Sequence, residues 1–249
     1  MSLVVTVFVP TGIVMAADSR TVIQSSSTRQ LPSGTSETVH TPLVLSDSSY
    51  KLFALANSGV GILTHGDAIL RDLPVESFVK GFAEQHDRPQ HSVEEMASLL
   101  HEYFRANAAE NRALFIVAGY DESGGSSVPH VYTVDPASTE GMRRANVDKD
   151  GRLQYGVLRG GDTGVVDRLI SPESLPPYHL MPLPDAVDYG RYLIETTTLT
   201  QRFEPRFPSV GGPVDILSIT ADSMRFVQRK GQTSGNEIVR YAKRKSLDA

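Results

Sequence analysis

The sequence contains no cysteine, which excludes disulfides, thiolate catalysis and cysteine-ligated zinc. It contains no apolar run long enough to span a bilayer, so no membrane partner is expected. It has no excess of basic residues. Against 24 Lys and Arg stand 29 Asp and Glu, and the net charge of −5 gives no support for nucleic acid as a partner. No basic region precedes the first apolar run, so a signal peptide is not expected and the chain is placed in the cytoplasm. A G-x-S-x-G nucleophile elbow is missing, as are an internal repeat and a low-complexity tail. The stretch Asn146-x-Asp148-x-Asp150-Gly151 opens like a calcium loop, but its twelfth position is Val157, and a hairpin turn is the better reading. His86 and His91 lie in no metal spacing. Neither a metal nor a cofactor is expected.

What is present begins at the second residue. Leu3 to Val9 is an apolar run, Pro10-Thr11-Gly12 is a turn, and Ile13 to Ala17 is a second run that ends in Asp18-Ser19-Arg20. Two β-branched runs joined by a glycine-containing turn predict a hairpin. Ser2 stands directly behind the initiator Met, and its small side chain permits removal of that Met. The residue would then carry both a hydroxyl and a free amine, and the amine can act as the base for its own hydroxyl. The hairpin brings Asp18 near Ser2 in space. Taken singly, each group has a plainer reading: Asp18-Ser19-Arg20 as a turn with a surface ion pair, and Lys51 as a solvated edge charge.

Further strands are predicted at Lys51–Ala56, Gly59–Thr64, Ala113–Tyr120, Val131–Val134, Leu153–Leu158, Val214–Ile219 and Arg225–Arg229. Helices are predicted at Ile69–Phe82, interrupted near Pro74, and from Ser92, where Glu95 completes a capping box. Others follow at Thr163–Ile170 and Pro184–Thr200, with a basic helix at Asn236–Lys245. Ser25–Ser49 is rich in Ser, Thr, Pro and Gly and reads as a long loop or mobile hairpin. Asp121–Val128 reads as a hairpin loop. Gly160-Gly161 ahead of a helix offers an anion site, but without the lysine or full glycine fingerprint that would strengthen it. Separate runs of strands and of helices give an α+β class with helices layered on antiparallel sheets.

Four stretches in order carry a resemblance. They are GIVMAADSR at Gly12–Arg20, Tyr50-Lys51-Leu52-Phe53, the pair ALFIVAGY (Ala113–Tyr120) and HVYTVDP (His130–Pro136), and GGPVDILSIT at Gly211–Thr220. Together they resemble a proteasome β-type subunit of the N-terminal nucleophile hydrolases, as a divergent bacterial-type member. The resemblance implies a four-layer αββα sandwich of two antiparallel sheets flanked by helices. It implies one domain over residues 1–249 with a loop insertion at 25–49. It places the nucleophile at Ser2, with Asp18 and Lys51 beside it and Arg20 in the same motif. It draws the oxyanion donors from His65 and Gly66, His65 being a departure from the small residue usual there. It further implies a peptide substrate and a homo-oligomer in a ring or stack, and leaves any unfoldase partner unspecified.

Two more departures stand out. The family has a serine-containing turn where this chain reads Gly160-Gly161-Asp162-Thr163, and an Asp where it reads Arg206-Phe207-Pro208-Ser209-Val210. Three functions follow: a peptidase with an N-terminal serine, a catalytically silent subunit of the same fold, or a hydrolase of small amides.

Overall fold

A computed structural model of the chain describes residues 2–30, 35–231 and 238–239. In chain order the strands and helices are β1 (Leu3–Val9), β2 (Gly12–Ala17), β3 (Thr21–Gln30), β4 (Ser36–Ser46), β5 (Leu52–Leu55), β6 (Val60–Gly66), β7 (Ile69–Leu70), β8 (Leu73–Pro74), α1 (Val75–His86), α2 (Val93–Ala108), β9 (Ala113–Ser123), β10 (Ser126–Val134), β11 (Met142–Arg144), β12 (Gly156–Gly161), α3 (Gly164–Leu169), α4 (Leu183–Gln201), β13 (Asp215–Ile219), β14 (Met224–Gln228) and β15 (Ile238–Val239). Two antiparallel sheets dominate. One has the order β12-β1-β2-β13-β14-β15, the other β11-β10-β9-β6-β5.

Side-chain alternation along β1 sets the layers. Leu3, Val5, Val7 and Val9 pack with Val166, Leu193 and Ile194 of α3 and α4, while Val4 and Phe8 pack with Leu63, Ile116 and Val131 of the other sheet. Both faces of β1 are therefore buried. That is why its sequence is a nearly unbroken apolar run instead of an alternating one. The second sheet turns Phe53, Ile62, Phe115 and Val117 onto Phe82, Met96, Leu100 and Phe104 of α1 and α2. The order is helix, sheet, sheet, helix, a four-layer α+β sandwich. Gly61 belongs to the interface between the sheets, where a Cβ would lie 2.5 Å from the Met15 sulfur.

Several expected boundaries shift. The helix expected from Ile69 starts at Val75. Pro74 disfavours helical backbone before it, and β7 and β8 instead form a minimal hairpin around Arg71-Asp72. Both turn residues are left-handed, with φ of 46° and 64°. The loop expected over Asp121–Val128 shrinks to Gly124-Gly125, at φ 58° and 79°, because two glycines suffice for a tight hairpin turn. The strand expected from Leu153 starts at Gly156, and Leu153 only bridges to Val147 across the Asp148–Gly151 turn. The polar 25–49 segment is mostly a long two-stranded hairpin, β3 with β4, in register from Val22↔Val44 to Gln30↔Ser36, with a shift between Thr21 and Val22. In the region expected as a basic helix, Ile238–Val239 extend the first sheet beside β14, and the remainder lies outside the described residues. The capping box at α2 is present: Ser92 Oγ accepts from the Glu95 amide at 3.1 Å, and Glu95 Oε2 accepts from the Ser92 amide at 2.7 Å. No helix among the described residues is long and apolar enough to cross a membrane.

Candidate active site

The β1–β2 register pairs Val4 with Ala17, which places Asp18 beside Leu3. The two residues are joined twice. The Leu3 amide donates to Asp18 Oδ1 at 2.9 Å, and the Asp18 amide donates to the Leu3 carbonyl at 3.2 Å. Ser2 is thereby fixed at the end of the sheet with only 4% of its surface exposed.

Asp18 is itself buried, and four N–H groups converge on it. Oδ1 accepts from Leu3 and from Lys51 Nζ, the latter at 2.6 Å; Oδ2 accepts from the amides of Arg20 and Gly211 at 3.1 and 3.0 Å. A carboxylate gripped by four donors is a fixed anchor for a buried cation. Lys51, with 3% exposure, uses a second proton on the Arg20 carbonyl at 2.6 Å. Burial pushes the Lys51 ammonium below its ordinary range, and the charge and hydrogen bond of Asp18 oppose that only in part. An amine so placed is nearer to exchanging protons at working pH than a surface lysine.

Arg20 serves this corner through its backbone. Its guanidinium turns the other way, onto Asp47 at 2.7 and 2.9 Å and onto the Pro208 carbonyl at 3.1 Å. Gly211 lies under that guanidinium, and a Cβ there would meet Cζ at 2.6 Å.

Ser2, Lys51, Thr64, His65 and Gly66 all line one cavity of about 400 Å³. His65 and Gly66 end β6. Gly66 is at φ 95°, and a Cβ on it would lie 2.0 Å from the Arg112 carbonyl, so no larger residue fits. The His65 ring rests on Gly160, where a Cβ would come within 2.3 Å of Nε2. Burial pushes the His65 imidazole down to about 4, so it is neutral near pH 7. The neighbouring Gly161, at φ 90°, lies against Ser2, and a Cβ there would be 1.8 Å from the Ser2 carbonyl oxygen. The Gly160-Gly161 pair thus makes room for His65 and Ser2, and that close approach accounts for both glycines without an anion.

The two departures noted in the sequence meet behind Ser2. The Asp162 amide donates to the Ser2 carbonyl at 2.7 Å. Asp162 Oδ2 accepts from the Ser209 hydroxyl, from Arg206 Nη1 at 2.6 Å and from Gln201 Nε2 at 3.1 Å. Burial pushes the Asp162 carboxyl up, and the bonds from Arg206 and Ser209 outweigh it, so the group is held below the usual carboxylate range. An acid and a hydroxyl are therefore both present, contributed by the opposite segments from those the resemblance led one to expect. Ser209, Arg206 and Gln201 were not legible as site residues. The available signal was the coincidence of an acid in the first segment with a serine in the second.

Among the described residues no group of His, Asp and Glu is arranged to hold a metal.

In this four-layer αββα sandwich a buried acid–lysine pair lies next to the first strand's leading residue. No family model and no curated protein matches the sequence. Among solved structures the chain is similar to Anbu from Hyphomicrobium sp. strain MC1, with a TM-score of 0.54 at 16% identity over 96% of this chain and 87% of that one. A Gly-1 mutant of the same protein gives a TM-score of 0.55 at 15% identity over 96% and 88%. Anbu (ancestral beta-subunit) from Yersinia bercovieri gives 0.48 at 13% identity over 88% and 81%. The two Hyphomicrobium structures carry the likeness, and it is one of fold.

Proposed function

We propose that the chain is an amide hydrolase acting on peptides, with Ser2 as its N-terminal nucleophile after removal of Met1. The observation that carries this reading is the corner in which Asp18 Oδ1 holds Lys51 Nζ and the Leu3 amide together, so that one carboxylate ties a buried amine to the residue that follows Ser2. A serine hydroxyl has too high a pKa to attack an amide unaided. In this reading the freed α-amine of Ser2 takes the hydroxyl proton, and Lys51 stabilises the developing alkoxide from its fixed place on Asp18. The oxygen forms a bond to the peptide carbonyl carbon, and the Gly66 N–H receives the oxyanion, the His65 N–H lying on the side of β6 that bonds to β9. The carbon–nitrogen bond then breaks, and the leaving amine takes the proton back. Water hydrolyses the resulting ester on Ser2, with the same amine as base, and releases the acid. Asp162 is a positioning residue, because it holds the Ser2 carbonyl from behind.

The same reading gives a cytoplasmic protein that assembles with further copies of itself, as a ring or stack. Size-exclusion chromatography with light scattering tests the assembly, for which a monomer would be the contrary result.

For the chemistry, intact mass comes first: a mature start at Ser2 is expected. A β-lactone probe should then label the parent once per chain and leave Ser2→Ala unlabelled. A retained Met1 with no label would instead assign this fold to a non-catalytic subunit. Parallel screens with peptides and small amides separate a peptidase from a hydrolase of small amides.

A further inference from the structure

A second groove lies between the first turns of α4 and the strands β13 and β14. It holds about 280 Å³ and shares no lining residue with the cavity at Ser2. Its floor follows from register. Ser218 stands opposite Arg225 in the β13–β14 pair, and directly opposed residues of an antiparallel pair project to the same side. Val227, two residues on, shares that side and packs with the α4 cluster. The wall follows from helical spacing. Leu183, Val187 and Arg191 stand four residues apart and form one stripe along α4.

The charge in this lining is unbalanced. Arg191 is engaged, its Nη1 donating to Asp188 Oδ1 at 2.6 Å and its Nε to Gln228 Oε1 at 3.3 Å. Arg225 is exposed and has no hydrogen bond, ion pair or ring contact among the described residues. Two guanidiniums against the one carboxylate of Asp188 leave a single positive charge.

A second observation is independent of that charge. Ser218 is only 4% exposed, and its hydroxyl has no hydrogen-bond partner among the described residues. The unpaired hydroxyls of Thr6, Ser58 and Thr64 are sealed from any visitor, whereas Ser218 lines the groove and can be reached from it. A buried hydroxyl without a partner costs free energy that a bound acceptor recovers.

A carboxylate meets both demands. It accepts the planar fork of Arg225 and the O–H of Ser218, while its carbon chain covers Leu183, Val187 and Val227. A cation would meet an unpaired guanidinium. A neutral apolar molecule would leave Arg225 and Ser218 without an acceptor, and a dianion would exceed the one net charge of the lining. The volume is small for a ligand pocket, which holds the body to a short aliphatic or aromatic one.

We propose that this groove binds a small carboxylate with an apolar body, with Arg225 and Ser218 holding the carboxylate oxygens. The proposal does not depend on the hydrolase reading.

The test uses the full-length parent with hexanoate and its neutral isostere hexanamide, each followed by saturation-transfer NMR, and with inorganic phosphate as a competitor. Hexanoate should bind about ten-fold more tightly than hexanamide. Arg225→Gln should bring the two within about two-fold of each other, and Arg225→Lys, which keeps the charge without the fork, should fall between. Ser218→Ala should weaken hexanoate by about three- to ten-fold and leave the urea midpoint unchanged, because the hydroxyl has no partner within the chain. Equal affinity for hexanoate and hexanamide, or no binding up to about 10 mM, would overturn the proposal. So would displacement of hexanoate by a lower concentration of phosphate, which would mark a site for inorganic anions. Parental binding by Arg225→Gln would place the ligand elsewhere, and parental binding by Ser218→Ala would leave the buried hydroxyl without a part; either result refutes the site as drawn.

Discussion

Two buried aspartate–lysine pairs lie at the same end of this sandwich. Lys51 pairs with Asp18, and Lys230 pairs with Asp215, whose strand position faces Ala17 next to Asp18. In burial and chemistry they are close to twins: the lysine side chains are 4% and 7% exposed, the aspartates 0% and 1%. Their surroundings separate them. Lys230 lies 4.3 Å from the centre of the Tyr50 ring, and its own amide donates to the same aspartate. Tyr50 lines the cavity and Lys230 does not. Lys51 reaches that cavity, and its aspartate is shared with the amide that follows Ser2. A buried ion pair alone therefore says little about function; access to a cavity, and an acceptor shared with the amide that follows Ser2, make one of the two a candidate. The wider surroundings differ in the same sense. Among the described residues the cavity end collects an unpaired threonine hydroxyl and a left-handed Arg71-Asp72 turn, each a cost to stability, and an imidazole that becomes one only at acid pH.

The strongest way to break the comparison is to remove each lysine in turn. Lys51→Ala should lower kcat/KM by about a thousand-fold in protein whose circular dichroism is unchanged. Lys230→Met should keep at least roughly half of parental turnover in its folded fraction, because that ammonium does not reach the reacting atoms. If the two losses were equal, the distinction drawn from cavity access would be wrong.

Stability separates the sealed pair further. Lys230→Met leaves Asp215 as an uncompensated buried charge and should cost about 3–5 kcal/mol in urea unfolding, whereas Asp215→Leu with Lys230→Met should fall within about 1 kcal/mol of the parent. A double variant as unstable as the single one would contradict this.

His65 sharpens the cavity side. Its folded value of about 4 lies below the 6.5 of an unfolded histidine, so the unfolded chain binds the proton more readily. This part of the stability is complete above pH 6.5 and is lost as pH falls toward 4, by about 3 kcal/mol at most. His65→Gln should flatten that portion of the curve. An unchanged acid dependence would mean that the imidazole is solvated and free to charge.

The smallest effect concerns the strained turn. Arg71→Asn with Asp72→Gly should stabilise the chain by about 1–2 kcal/mol, since an Asn-Gly pair suits a two-residue turn with both φ positive. No gain in urea unfolding would mean that the turn is not strained.

Much of this was legible in order along the chain. The apolar runs on either side of Pro10-Thr11-Gly12 are β1 and β2, since a short run with both faces buried has little else to be. The Ser92–Glu95 capping box marks the start of α2, because it depends only on residues three apart. The polar 25–49 segment was left open between a loop and a hairpin and is a hairpin, while the residues ahead of Pro74, read as helix, paired with each other. In the site, Asp18 and Lys51 were readable from their motif positions. Arg20 was read in the same motif, yet its guanidinium leaves for Asp47 and only its backbone serves the corner. Ser209, Gln201 and Arg206 escaped, because their part depends on Asp162, 39 to 47 positions away.

The sequence by itself determined the hairpin that starts at Leu3, the acid at its far end, the absence of thiol chemistry and the α+β class. These rest on local periodicity and composition, which a chain carries before it folds. Only the tertiary structure decided which of two buried lysines meets a cavity, that an acid and a serine from distant segments join behind Ser2, and that Asp72 of a left-handed turn comes to line the same cavity as Lys51. Each of those is a distance between residues far apart in the chain, set by how two sheets stack and not by any spacing along the sequence.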